Sequence, residues 1–171
     1  MFDSDDYLDR PDWPLLQNGA VNLFWDARVL ADAKKMLAGL NYDISTISGA
    51  GGLSDVYIPF STLLRWEEQF GYAQWNGNLN AFNDALSGYP FGASKRSALI
   101  LTSFHAIVAD DRSASHAILD MLEAHARDHL LFGNILIVLV QTDDSRFECP
   151  EIGGRRANWN RRESLPKDRG L

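Results

Sequence analysis

Hydrophobic positions along this chain change their period several times, and each change marks an element. Residues 21–25, Val-Asn-Leu-Phe-Trp, form a short apolar run of strand formers. Asp26 follows as a helix cap. Val29, Leu30, Ala33, Met36 and Leu37 then trace one face of a helix ending at Gly39. Residues 42–47 alternate with period two and predict a second strand. Strand, helix and strand at this spacing predict a βαβ unit, a parallel pair joined by a right-handed crossover. Residues 48–55, SGAGGLSD, read as a loop; their glycine order fits neither the dinucleotide fingerprint nor the P-loop, so a plain connector is expected. Ser61 is placed to cap a helix that carries Leu63, Leu64, Trp66 and Phe70 and stops at Gly71. Residues 98–104 and 135–140 are nearly continuous apolar runs, as parallel strands covered on both faces require. Between them, Asp110, Asp111 and Ser113 mark a turn and cap. The helix that follows has Ala117, Ile118, Met121, Leu122 and Ala126 on its face and ends near Gly133. The elements read βαβααβαβ. That order predicts an α/β fold with a small, mainly parallel sheet of four strands and flanking helices.

The stretch 74–89, QWNGNLNAFNDALSGY, organises the rest. Asn76-Gly77 is a turn signal, because both residues tolerate positive φ. Asn78 can cap a helix through its side-chain oxygen. Leu79, Phe82 and Leu86, with Ala85 beside them, make one apolar face, and Asn80, Asn83 and Asp84 make the other. Ser87-Gly88 ends the helix, and Pro90 prevents its resumption.

At these residues the chain resembles the barstar family of intracellular ribonuclease inhibitors. That family's loop and short helix read aromatic-aromatic-Gly-x-Asn-x-Asp-Ala-x-x-Asp-x-Leu, then a small residue, Gly and an aromatic. Trp75, Asn78, Ala81, Asp84, Leu86, Gly88 and Tyr89 keep the pattern. Gln74 replaces the first aromatic, Asn76 the Gly, and Asn80 the first helix Asp. The likeness extends more loosely over residues 40–142 through the order and type of elements. It implies a three-stranded core at residues 41–142 within a domain at 20–142. Residues 20–40 would then be an N-terminal β-α extension that adds an edge strand. Independently of the resemblance, residues 1–19, acidic and with Pro11 and Pro14, read as a loose arm, and 143–171, where hydrophobics thin out and Arg, Asn, Glu, Gly and Pro dominate, as a basic, mostly disordered tail.

The resemblance also implies a function: a protein that binds and blocks the active site of a basic ribonuclease or ribonuclease-like toxin. Asp84 would sit where a substrate phosphate sits, with Trp75 and Tyr89 as aromatic anchors. Gln74, Asn76, Gly77, Asn78, Asn80, Asn83 and Gly88 would complete the contact surface, and Glu123 would match the family's acidic residue on the last helix. An alternative is an interaction module of the same fold with a non-nuclease partner. Asn80, the N-terminal addition and the basic tail favour it.

Charge sharpens this picture. Of the chain's 16 basic and 23 acidic side chains, residues 146–171 hold seven and four, so the other 145 residues hold nine and 19, a net −10. A body this acidic attracts basic partners and repels nucleic acid. Arg155-Arg156 and Arg161-Arg162, around Trp159, read as a solvated tail that partly balances it. At 171 residues one domain is expected. No run of about 18 apolar residues predicts a membrane span, and the acidic start of the chain lacks a secretory leader's apolar core. The lone Cys149 fits a reducing compartment, so a cytoplasmic protein is expected. Catalysis finds little purchase. There is no G-x-S-x-G, and the adjacent pairs Glu67-Glu68 and Asp110-Asp111 do not face each other on a helix. His125 and His129 stand four apart, with His116 nine residues before His125, but without HExxH they read as surface histidines rather than metal ligands. Neither metal nor cofactor is expected.

Overall fold

The computed structural model describes residues 10–171. Its strands are β1 (Val21–Phe24), β2 (Asp43–Ser48), β3 (Arg96–Thr102), β4 (Ile135–Gln141) and β5 (Asn158–Trp159). Its helices are α1 (Trp13–Leu16), α2 (Ala27–Gly39), α3 (Tyr57–Leu63), α4 (Trp66–Phe70), α5 (Leu79–Ser87), α6 (Phe104–Asp110) and α7 (Arg112–Leu131). The strands form one sheet in the order β2-β3-β4-β1-β5, and every neighbouring pair is parallel.

The continuous apolar runs explain the two-sided burial. Ala98, Ile100, Ile135, Ile137 and Leu139 pack toward α2, where Leu30 and Leu37 meet them. The alternate residues Leu99, Leu101, Leu136, Val138 and Val140 join the larger cluster with α3 to α7. Topology dictates this split. The chain runs from β1 to the far edge at β2, then steps back through β3 to β4. Right-handed crossovers in opposite directions put their helices on opposite faces.

Two expectations about β1 fail. It does not pair with β2, and it is not an edge strand: Val21 sits opposite Val138 on β4, and Leu23 opposite Trp159 on β5. The linking helix explains how. The 13 residues of α2 span about 20 Å at 1.5 Å each, enough to cross three strand spacings of about 4.8 Å.

The C-terminal segment is folded rather than disordered. Ile152 and Phe147 enter the larger core, and β5 covers β1. Polar groups do the rest. Glu163, 2% exposed, accepts hydrogen bonds from the backbone of Trp25 (3.1 Å) and Asp26 (2.6 Å) and from the Asn160 amide. Arg169 lies 4.4 Å over the Trp159 ring and donates to Ser145 O. Arg162 pairs with Asp32 on α2 at 2.6 Å. A segment poor in hydrophobics is held here by side chains that satisfy main-chain groups.

Of the acidic arm, residues 1–9 lie outside the described residues. The remainder is tied down by Leu15 and by Asp12, which is fully buried against Arg10 (2.6 Å) and the Tyr42 hydroxyl (2.6 Å). Two further boundaries differ from expectation. Ser103 adopts φ +54 and ends β3, so Phe104 opens α6 instead of extending the strand. Arg65, at φ +49, splits the expected single helix into α3 and α4, with Ser61 inside α3 rather than at its cap. Among the described residues no helix is long and apolar enough to cross a membrane.

Candidate functional site

Helix α5 and the loop before it form the candidate site. Asn78 caps the helix as expected, accepting from Asn80 N (3.0 Å) and Ala81 N (3.2 Å). Asn76 accepts from Asn78 N at 3.2 Å and tightens the turn. Gly77 has φ +92, and a Cβ there would lie 2.5 Å from the Tyr57 hydroxyl, so only glycine fits both the backbone and the space. Phe82, Ala85 and Leu86 are buried. Asn80, Asn83, Asp84 and Ser87, at intervals of three and four, make an exposed polar stripe. Gln74, Asn76, Asn78 and Gly88 are also exposed.

The aromatics stand elsewhere. Trp75 is 1% exposed and stacks on Phe82 with ring centroids 4.7 Å apart, while Tyr57 and Phe60 meet its ring edge-on. Its Nε1 donates to Asn78 O at 2.8 Å, and its own N–H donates to Ser61 Oγ at 2.8 Å. Tyr89 is buried too, and burial pushes its hydroxyl up to about 12. Both serve the frame of the site, not its outer surface. Glu123 is likewise 4% exposed and faces inward, accepting from Ala20 N (2.8 Å) and Val21 N (3.0 Å) at the start of β1. It lies apart from the α5 stripe.

The helix is clamped by groups the sequence did not single out for this role. A helix ends with carbonyls that lack intrahelical partners. Here Gln69 Nε2 donates to Ala85 O (3.2 Å), and His129 Nε2 meets Leu86 O (2.8 Å). His125 Nε2 meets Asn83 Oδ1 at 3.0 Å. His129 is therefore not a surface residue. His129 is buried and His125 half-buried, and together they staple α5 to α7. Their spacing of four was visible in the sequence. What it served was not, because α5 lies over 40 residues away along the chain. Burial, and then the neighbouring His129, hold His125 below the usual histidine range, while the fields of Asp128 and Asp84 act against them.

The result is a short, rigid helix with a stripe of hydrogen-bonding amides around one exposed carboxylate. The exposed carboxylate of Asp128 on α7 lies near enough to act on the same histidine. Such a surface can accept hydrogen bonds from Arg, Lys or backbone N–H groups of a partner. Among the described residues no three His, Cys, Asp or Glu side chains are grouped to hold a metal. No protein-family model, no curated protein and no solved structure matches this chain.

Proposed function

We propose that this protein is a barstar-like inhibitor that binds a basic ribonuclease or nuclease toxin and blocks its active site, without catalysis or cofactor of its own. One observation carries the reading: Asp84 stands exposed on a helix whose inner face packs on the core and whose last carbonyls are held by Gln69 and His129. A carboxylate held this way enters a phosphate-gripping cleft with little ordering cost. The chain's net charge of −7 steers a cationic enzyme toward it. Asn80 removes one carboxylate from the stripe, and Asp128 on α7 supplies a second from the side. Trp75 and Tyr89 act from below as supports, so the contact surface is Gln74, Asn76, Asn78, Asn80, Asn83, Asp84 and Gly88.

Titration of small basic ribonucleases with the purified protein tests this. Stoichiometric loss of nuclease activity is expected, with Asp84→Ala weakening inhibition by about 2 kcal/mol or more, roughly thirtyfold. Undiminished nuclease activity across a panel of such enzymes refutes it. A second reading, a module of this fold with a non-nuclease partner, draws on the amide at Asn80. It predicts that the partner recovered from host lysate through the α5 surface has no nuclease activity.

A further inference from the structure

A pocket of about 190 Å³ opens at the amino-terminal rim of the sheet, on the flank of α7 that carries Glu123, Ala126, Arg127 and Leu130. Its walls are largely apolar: Leu16, Ala126, Leu130, Ile135 and Leu136. Three charged groups line it. Glu123 is one, and its two hydrogen bonds from β1 both fall on Oε2. The other oxygen, Oε1, accepts none from the described residues, and it sits beside Gly19, whose added Cβ would lie 2.7 Å from it. None of the ion pairs among the described residues involves Glu123. The other two charges are Arg127 and Arg155. The tight turn at Gly153-Gly154, closed by the paired hydrogen bonds between Ile152 and Arg155, sets Arg155 there. Arg127 spends one N–H on Gly153 O at 2.9 Å and keeps the rest.

We propose that this pocket binds a free apolar α-amino acid, with its ammonium on Glu123 Oε1, its carboxylate on Arg127 and Arg155, and its side chain against Leu130, Ile135 and Leu136. Each alternative class leaves something unmatched. A metal ion wants several oxygen ligands, and one free carboxylate oxygen among apolar walls does not offer them. A simple amine would meet the acid but face two guanidinium groups without an anion. A simple fatty acid would meet the arginines but bring a carboxylate against a buried one. A zwitterion with an apolar tail answers all three features. The volume, below the roughly 300–1,000 Å³ of sites for drug-sized ligands, sets the occupant at amino-acid size. This site is on another flank of α7 from the histidines that hold α5, and it does not depend on the nuclease reading.

Calorimetric titration of the full chain tests the proposal, with L-leucine, leucinamide and 4-methylpentanoate as probes. Saturable one-site binding of L-leucine is expected, accompanied by a rise in melting temperature. Removal of either charge from the ligand should weaken binding about tenfold or more, the loss of one charge-assisted pairing. Arg155→Ala and Leu130→Trp alter exposed side chains and should each weaken L-leucine binding with an unchanged circular dichroism spectrum. Glu123→Gln should abolish it; should that variant unfold, because Glu123 also holds β1, the two exposed variants decide. No heat and no thermal shift with millimolar L-leucine, equal binding of all three probes, or full affinity in Leu130→Trp would each overturn the proposal.

Discussion

Trp75→Phe separates support from contact at the α5 surface. The indole is 1% exposed and meets Phe82, Tyr57 and Phe60. Phenylalanine keeps a six-membered ring in that cluster but loses the Nε1 donor and the five-membered ring. The lost hydrogen bond to Asn78 O contributes about 1 kcal/mol. It contributes no more than that, since Asn78 O still accepts from Phe82 N at 3.0 Å and is not orphaned. A residual void on the order of 40 Å³, at about 24 cal/mol per Å³, adds about 1 kcal/mol. The total of about 2 kcal/mol corresponds to a fall in melting temperature of about 4–8 °C for a chain of this size. Urea melts followed by far-ultraviolet circular dichroism measure it. Nuclease titrations at a temperature where the variant stays folded measure binding, which should remain within about twofold, a difference worth only about 0.4 kcal/mol. Asp84→Ala should do the reverse, leaving the melt unchanged and the binding impaired. If Trp75→Phe melts like the parent yet binds tenfold more weakly, the indole reaches the partner and the placement argued above is wrong.

Other predictions rest on separate contacts. Gly77→Ala should cost about 1–3 kcal/mol, from positive φ and from a methyl 2.5 Å from the Tyr57 hydroxyl. Adding Tyr57→Phe should restore part of that loss in the same urea melt, and no restoration would show that the hydroxyl is not the obstacle. Glu163→Gln should cost about 1–3 kcal/mol, because three donors converge on a buried carboxylate and an amide offers only one acceptor oxygen. A melt matching that of the parent would mean that the C-terminal segment is not anchored there. His125 is held below its ordinary value by burial and by His129, so the folded protein prefers the neutral ring. The unfolded chain then takes up the proton first. Stability from this group is complete above about pH 6.5 and falls as the pH drops from there toward the lower folded value. The groups facing it are His129, Asp128 and Asp84, with Asn83 as its hydrogen-bond partner. His125→Gln should flatten the decline in urea midpoints between pH 8 and 5, and an unchanged slope would assign the titration elsewhere.

Local chemistry made parts of this protein legible. Asp26, Asn78 and Asp111 cap helices as their residue types demand, because a cap is a contact over two or three residues. The runs at 98–104 and 135–140 announced strands buried on both faces, the first ending at Thr102 rather than Phe104. The polar stripe of α5 was equally readable from its spacing.

Long-range partners were not readable in this way. Whether Trp75 points in or out, whether Glu123 faces a solvent or the amides of β1, and whether β1 pairs with β2 or β4 each depend on residues far away in sequence. The C-terminal segment shows the limit most plainly. Its sparse hydrophobics read as disorder, yet Glu163 finds the free amides of Trp25 and Asp26 across more than 130 residues. Composition and period set by themselves helices α2, α5 and α7, strands β1 to β4 and an acidic chain. The sheet order, the burial of the aromatics and the clamp of His125 and His129 were decided by tertiary structure, because a hydrogen bond or an apolar contact is chosen by proximity in space, which no short window of sequence contains.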